Sequence, residues 1–131
     1  MIQDHFKDLD IAVEYRHRSW LREEVFEFMK ERSITYVTVD EPPIGDLFPY
    51  YPYHTTAKAY YRFHGRNKRW FEAEGGERYD YLYSKEELEK FAGDVKKSMK
   101  EVEEVFVFFN NCHKGSAVTN ALDFSKMLRE G

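Results

Sequence analysis

The sequence predicts an α/β protein whose strands run parallel. Four short runs rich in β-formers, at 11–15, 34–40, 59–64 and 105–110, are separated by helical segments or by connections long enough to bring the chain back. Each run also ends in polar groups: "IAVEYRH", "ITYVTVDE", "AYYRFHGR" and "VFVFFNNCH". The composition supports a packed core, with 42% hydrophobic and 34% charged residues in 131.

The first run is bounded by charge and reads as a strand. A helix follows from about 20 to 32, with Leu21, Val25, Phe28 and Met29 at helical spacing and Ser19 as its expected N-cap. The second strand, rich in Val and Thr, covers 34–40. Residues 41–57 read as a long loop holding all four prolines and the rings of Phe48, Tyr50, Tyr51 and Tyr53. Such a loop serves either as a lid or as a cover over a hydrophobic edge. The third strand is 59–64, and 67–83 is a second long connection with Gly75 and Gly76 near its middle. "SKEE" at 84–87 is a capping box, in which hydroxyl and carboxylate each take a free amide of the first turn. The helix behind it lines up Leu88, Phe91, Val95, Met99 and Val102 on one face. A last helix from about 117 is expected to turn Val118, Ala121, Leu122 and Leu128 inward.

Alternation along strands places Glu14 and Arg16 on one side, with Tyr36, Thr38 and Asp40, then Tyr60, Arg62 and His64, then Phe106, Phe108 and Asn110. Val13, Tyr15, Val37, Val39, Tyr61, Phe63, Val107 and Phe109 form the other, apolar side, expected to lie under the helices. The polar tips would then converge at the carboxyl ends of the strands, where parallel α/β proteins bind ligands. The competing reading is an ion-pair network that only plugs that end of the sheet.

In the ligand reading, Glu14, Asp40 and His64 are candidates for proton transfer. Arg16, Arg62 and Arg66 suit a bidentate clamp on carboxylate or phosphate, and Asn110 can orient a hydroxyl. "HGRNKRWF" at 64–71 mixes cations with rings, which fits a phosphate beside a base or sugar face. "NNCHKGS" at 110–116 leads into the last helix, so Asn111, His113 and Lys114 join the candidate binding set. No H-x-x-x-H or C-x-x-C spacing marks a metal site, and no cofactor motif is present. Cys112 is the single cysteine and reads as packing rather than as a nucleophile.

The formal charge of −4 rules out polyanion binding by overall charge, so nucleic-acid contact would need a local patch. One cysteine, a charged N-terminus and no run approaching the roughly 20 apolar residues of a membrane span lead to the expectation of a soluble cytoplasmic protein.

The blocks "AVEYRHRSW", "YYRFHGR", "YDYLYSKEEL" and "VFVFFNNCHKGSAVTNA" resemble the YecE-like family, domain of unknown function 72, in the family's order. The resemblance implies a (β/α) barrel of the triosephosphate-isomerase type and no established activity. A full barrel has eight strands, so the match corresponds to its C-terminal half: a parallel half-barrel in one domain, residues 1–131. Open edges and an uncovered aromatic face then call for a second copy of the chain or for an N-terminal-half partner. The functions left open are an enzyme acting on a phosphorylated or sugar-like substrate, a nucleotide or nucleic-acid binding module, and a structural half-barrel.

Overall fold

The computed structural model describes residues 9–73, 75–111 and 115–130. Strand β1 is Ala12–Val13, followed by a short 3-10 turn at Arg18–Trp20 and helix α1, Glu23–Glu31. Strand β2 is Thr35–Asp40 and β3 is Lys58–Phe63. A second 3-10 turn, Gly75–Tyr79, precedes α2, Lys85–Glu101; β4 is Glu104–Phe109 and α3 is Ser116–Glu130. The four strands form one parallel sheet in the order β1-β2-β3-β4. The α/β class and the parallel pairing agree with the sequence.

Two cores hold the layers together. Ala59, Tyr61 and Phe63 of β3 pack with Leu88, Phe91, Ala92 and Val95 of α2 and Phe124 of α3. Phe63 is the hub, with ring centroids 4.4 Å from Phe91 and 5.0 Å from Phe109. The second core joins Phe26 and Met29 of α1 to Tyr36 and to Phe48 of the proline-rich loop. That loop works as a cover: Tyr53 stacks on Phe26 at 4.4 Å, and Tyr50 meets Phe91 at 5.1 Å while its hydroxyl donates to Asp94.

The capping box forms as expected, Ser84 Oγ accepting from Glu87 N while the Glu87 carboxylate accepts from Ser84 N. The other helices differ from their sequence readings. Ser19 does not cap α1; it lies in the 3-10 turn, where His17 accepts from its amide, and α1 begins after Arg22 with no side-chain cap. Phe26 and Met29 are the buried pair, and Phe28 faces solvent beneath the Arg32 guanidinium. In α2, Met99 is exposed. In α3 the buried residues are Asn120 and Phe124, while Val118 and Leu122 point outward. The cause is a polar brace. Asn120 Oδ1 accepts from Tyr83 N and Asn111 Nδ2, and its Nδ2 donates to Tyr83 O, which rotates the helix so that the amide faces the sheet.

The register corrects one face assignment. Val37 pairs with Tyr60 and Val39 with Arg62, whereas Asp40 pairs with Phe63. Registered partners in a sheet share a face. Val37 and Val39 therefore lie on the inner face with Tyr60 and Arg62, and Tyr36, Thr38 and Asp40 lie on the helix side with Tyr61 and Phe63. Every residue of β2 is buried, so polarity carries no sign of which side is which, and a one-residue displacement reverses the whole strand.

Candidate functional site

Reversing β2 divides the expected cluster in two. Glu14, Arg16, Arg62, His64 and Asn110 do come together at the carboxyl ends of β1, β3 and β4. Glu14 sits at the centre with its side chain 9% exposed. Its Oε1 accepts from Arg62 Nη1 at 3.1 Å and lies 3.2 Å from His64 Nε2. Arg16 Nε stands 2.8 Å from Oε2, an ion pair without hydrogen-bond alignment. Arg62 Nε also donates to Asn110 Oδ1 at 3.2 Å.

Asp40 belongs to a different assembly. Its carboxylate is 1% exposed and accepts from Arg66 Nε at 3.1 and 3.0 Å, from Arg66 Nη2 at 2.7 Å and from the Tyr83 hydroxyl at 2.7 Å. Tyr83 in turn accepts from Gly65 N, and Arg66 Nη1 stands 3.4 Å from Glu87. These bonds raise the Arg66 pKa above its already high value, and burial with the nearby Asp40 raises that of Tyr83. Asp40 and Arg66 thus tie the start and end of the 67–83 connection to the sheet, and this clamp occupies the groups for which the sequence suggested proton transfer and substrate binding.

The residue that takes Asp40's place on the inner face is its neighbour Glu41. Its side chain is 0% exposed, Arg16 Nη1 stands 4.0 Å away, and neither carboxylate oxygen has a hydrogen-bond partner. Burial is the main reason its pKa rises, to about 7, with the negative charges of Glu14 and Asp40 adding to it and Arg16 opposing. Glu14 behaves oppositely. Burial works against its ionisation too, but the His64 hydrogen bond and the charges of His64, Arg16 and Arg62 outweigh it and hold its pKa below the ordinary value. His64 Nδ1 is also buried and without a partner. The sequence signal for Glu41 was its place directly after the strand; only the register shows which face it takes.

Asn111 is fully buried and donates to Tyr81 O and to Asn120, so it braces α3 against the 67–83 connection. His113 and Lys114 lie outside the described residues. The basic loop is also less available than its sequence suggested. Arg66 is committed to Asp40, and Trp70 is buried against Tyr79. Lys68, Arg69 and Phe71 are exposed. Among the described residues, no group of three or more His, Cys, Asp or Glu side chains could hold a metal ion. No helix among them is long and apolar enough to cross a membrane.

The chain is a parallel α/β protein with polar side chains gathered at the carboxyl ends of its strands, the end at which ligands bind in parallel α/β proteins whose sites are known. The family model described as "Protein of unknown function DUF72" matches residues 1–131, and the chain belongs to that family. A solved DUF72 family protein from Thermotoga maritima MSB8 is 60% identical to it and covers 92% of this chain with a TM-score of 0.91; the match takes in 46% of that protein. A DUF72 family protein from Enterococcus faecalis V583 is 38% identical, with a TM-score of 0.91 over 98% of this chain and 50% of its own; a second structure of it gives 0.85. The chain therefore spans about half the length of these relatives. No curated protein matches it.

Proposed function

We propose that the chain carries the acid–base and anion-binding rim of a cytoplasmic enzyme acting on a phosphorylated or sugar-like substrate. The observation that supports this most is the pairing of Glu14 with Glu41. Two carboxylates share one rim while their surroundings push their proton affinities apart, Glu14 ionised and Glu41 still partly protonated near neutrality. In that state Glu14 offers a base and Glu41 an acid. Arg16 and Arg62 bring two positive charges against the one of Glu14, which leaves an excess suited to an anionic group. Arg16 is the more exposed arm, at 56%, and Asn110 suits a substrate hydroxyl. Glu41 Oε1 and Oε2 and His64 Nδ1 are buried and without hydrogen-bond partners among the described residues, so the rim carries unmet polar demand.

Isothermal titration calorimetry with inorganic phosphate, and with a panel of pentose and hexose phosphates, tests this reading. Binding should saturate, and Arg62→Met or Arg16→Met should weaken it by about tenfold each. At least one sugar phosphate should bind more tightly than phosphate alone. Equal binding by the wild type and both arginine variants would refute the assignment.

A further inference from the structure

Arg16 stands between the two acids of the rim. Its Nε lies 2.8 Å from Glu14 Oε2 and its Nη1 4.0 Å from Glu41 Oε2. Neither contact is an aligned hydrogen bond, because Glu14 Oε2 and both Glu41 oxygens lack a hydrogen-bond partner. Arg62 differs, since its Nη1 donates to Glu14 Oε1 and its Nε to Asn110 Oδ1. The Arg16 backbone is tied down, its carbonyl accepting from Phe48 N at 3.2 Å, while its side chain is largely exposed. A ligand can therefore recruit this cation by rotating one side chain, and no hydrogen bond to either carboxylate is broken.

The two acids do not depend on Arg16 equally. Glu14 keeps Arg62 and His64 against its Oε1. Glu41 is faced by Arg16 and Glu14 from the end of β1 and by Asp40 directly before it, whose carbonyl accepts from His64 N at the end of β3. The Arg16 charge favours the ionised form of Glu41, and the charges of Glu14 and Asp40 oppose it. The Glu41 side chain is fully buried, so water does not replace a cation that leaves.

We propose that capture of a phosphate group at this rim draws the Arg16 charge away from Glu41 and loads Glu41 with a proton. The inference rests on the anion-binding reading of the rim and adds the regulation of that site. Two effects act in the same direction. Phosphate takes up the cation that favoured ionisation, and it brings further negative charge toward a buried carboxyl. Glu14 stays ionised under Arg62 and His64, so the proton goes to Glu41. By linkage, protonation of Glu41 and phosphate binding strengthen one another by the same factor. The anion thus prepares the acid that stands beside it.

The test is isothermal titration calorimetry with inorganic phosphate at pH 7.5, in buffers of different ionisation enthalpy, which gives the protons taken up per phosphate bound. Glu41→Gln, measured alongside, subtracts the titration of phosphate itself. Glu41 titrates at about 7 in the free chain. If binding raises its proton affinity about tenfold, the wild type takes up about half a proton more than Glu41→Gln. The affinity of Glu41→Gln relative to the wild type should also grow by roughly fivefold or more from pH 6 to pH 8.5. Phosphate bound by both proteins with equal proton uptake overturns the proposal and leaves the anion site standing. Phosphate bound by neither overturns the anion-binding reading and the proposal with it. A second measurement needs no variant: in infrared difference spectra of the wild type at pH 7.5, the band of protonated carboxyl groups should grow as phosphate binds. A band that stays constant while phosphate binds overturns the proposal on its own.

Discussion

Glu41→Gln isolates the cost of keeping an acid at the rim. The Glu41 carboxyl moves from an ordinary 4.5 to about 7 in the fold. The folded chain therefore holds more protons than the unfolded chain between those values, and stability falls as pH rises through that window. The displacement corresponds to about 3 kcal/mol once Glu41 is fully ionised in both states. The side chain is fully buried and its oxygens lack hydrogen bonds, so little solvent screening reduces this figure. Gln keeps the size and cannot ionise. The variant should match the wild type at pH 4.5 and gain on it steadily to pH 8, where it should be more stable by about 2–3 kcal/mol. For a chain of this length that is a rise in Tm of roughly 6–12 °C. Thermal melts by circular dichroism, taken at half-unit steps of pH on both proteins, measure the gap. Glu41→Met, which has no amide to bury, should show the same trend with pH. A gap that stays constant with pH, or that closes as pH rises, would refute a buried acid at this position.

The clamp on the other face predicts the opposite behaviour. Asp40→Ala leaves the Arg66 guanidinium and the Tyr83 hydroxyl without their acceptor and should cost about 3–5 kcal/mol in urea unfolding; a loss under about 1 kcal/mol would mean the clamp is dispensable. Gly65 sits at φ +95° with Tyr81 Cβ 2.8 Å from where its own Cβ would stand. Gly65→Ala should therefore destabilise the chain by about 2 kcal/mol or more, with protease cleavage appearing first within 67–83. Ser84→Ala removes half of the capping box and should cost about 1 kcal/mol, and Ser84→Asp should restore most of it in the same assay. Phe63→Ala opens a cavity among Phe91, Phe109 and Phe124 and should cost about 3–5 kcal/mol.

Most of the architecture was legible because its signals are local. The capping box, the helical spacing of Leu88, Phe91 and Val95, and the β-rich runs each fix an element without reference to the rest. The inner or outer sense of β1, β3 and β4 was legible too, since each alternates rings or aliphatics with a polar group near its end. β2 was not. Both of its faces are buried, and Tyr36 and Asp40 face the helix layer because Tyr51 O, Arg66 and Tyr83 meet them there. Those partners lie far along the chain, so no pattern within 34–40 announces them. The same holds for α3, where an asparagine satisfied by Tyr83 and Asn111 turns inward beside Phe124. Glu14, Arg16, Arg62, His64 and Asn110 were found from strand ends alone, whereas Glu41 needed the register.

A crystal structure of the chain grown in phosphate near pH 6 tests the central claim most directly. Glu41 should still be protonated there, and the rim should carry its net positive charge. The expected result is tetrahedral density within hydrogen-bond reach of Arg16 and Arg62, with Glu41 turned toward it. Density only at Lys68 and Arg69, with the Glu14 rim holding nothing but its own ion pairs, would contradict the account.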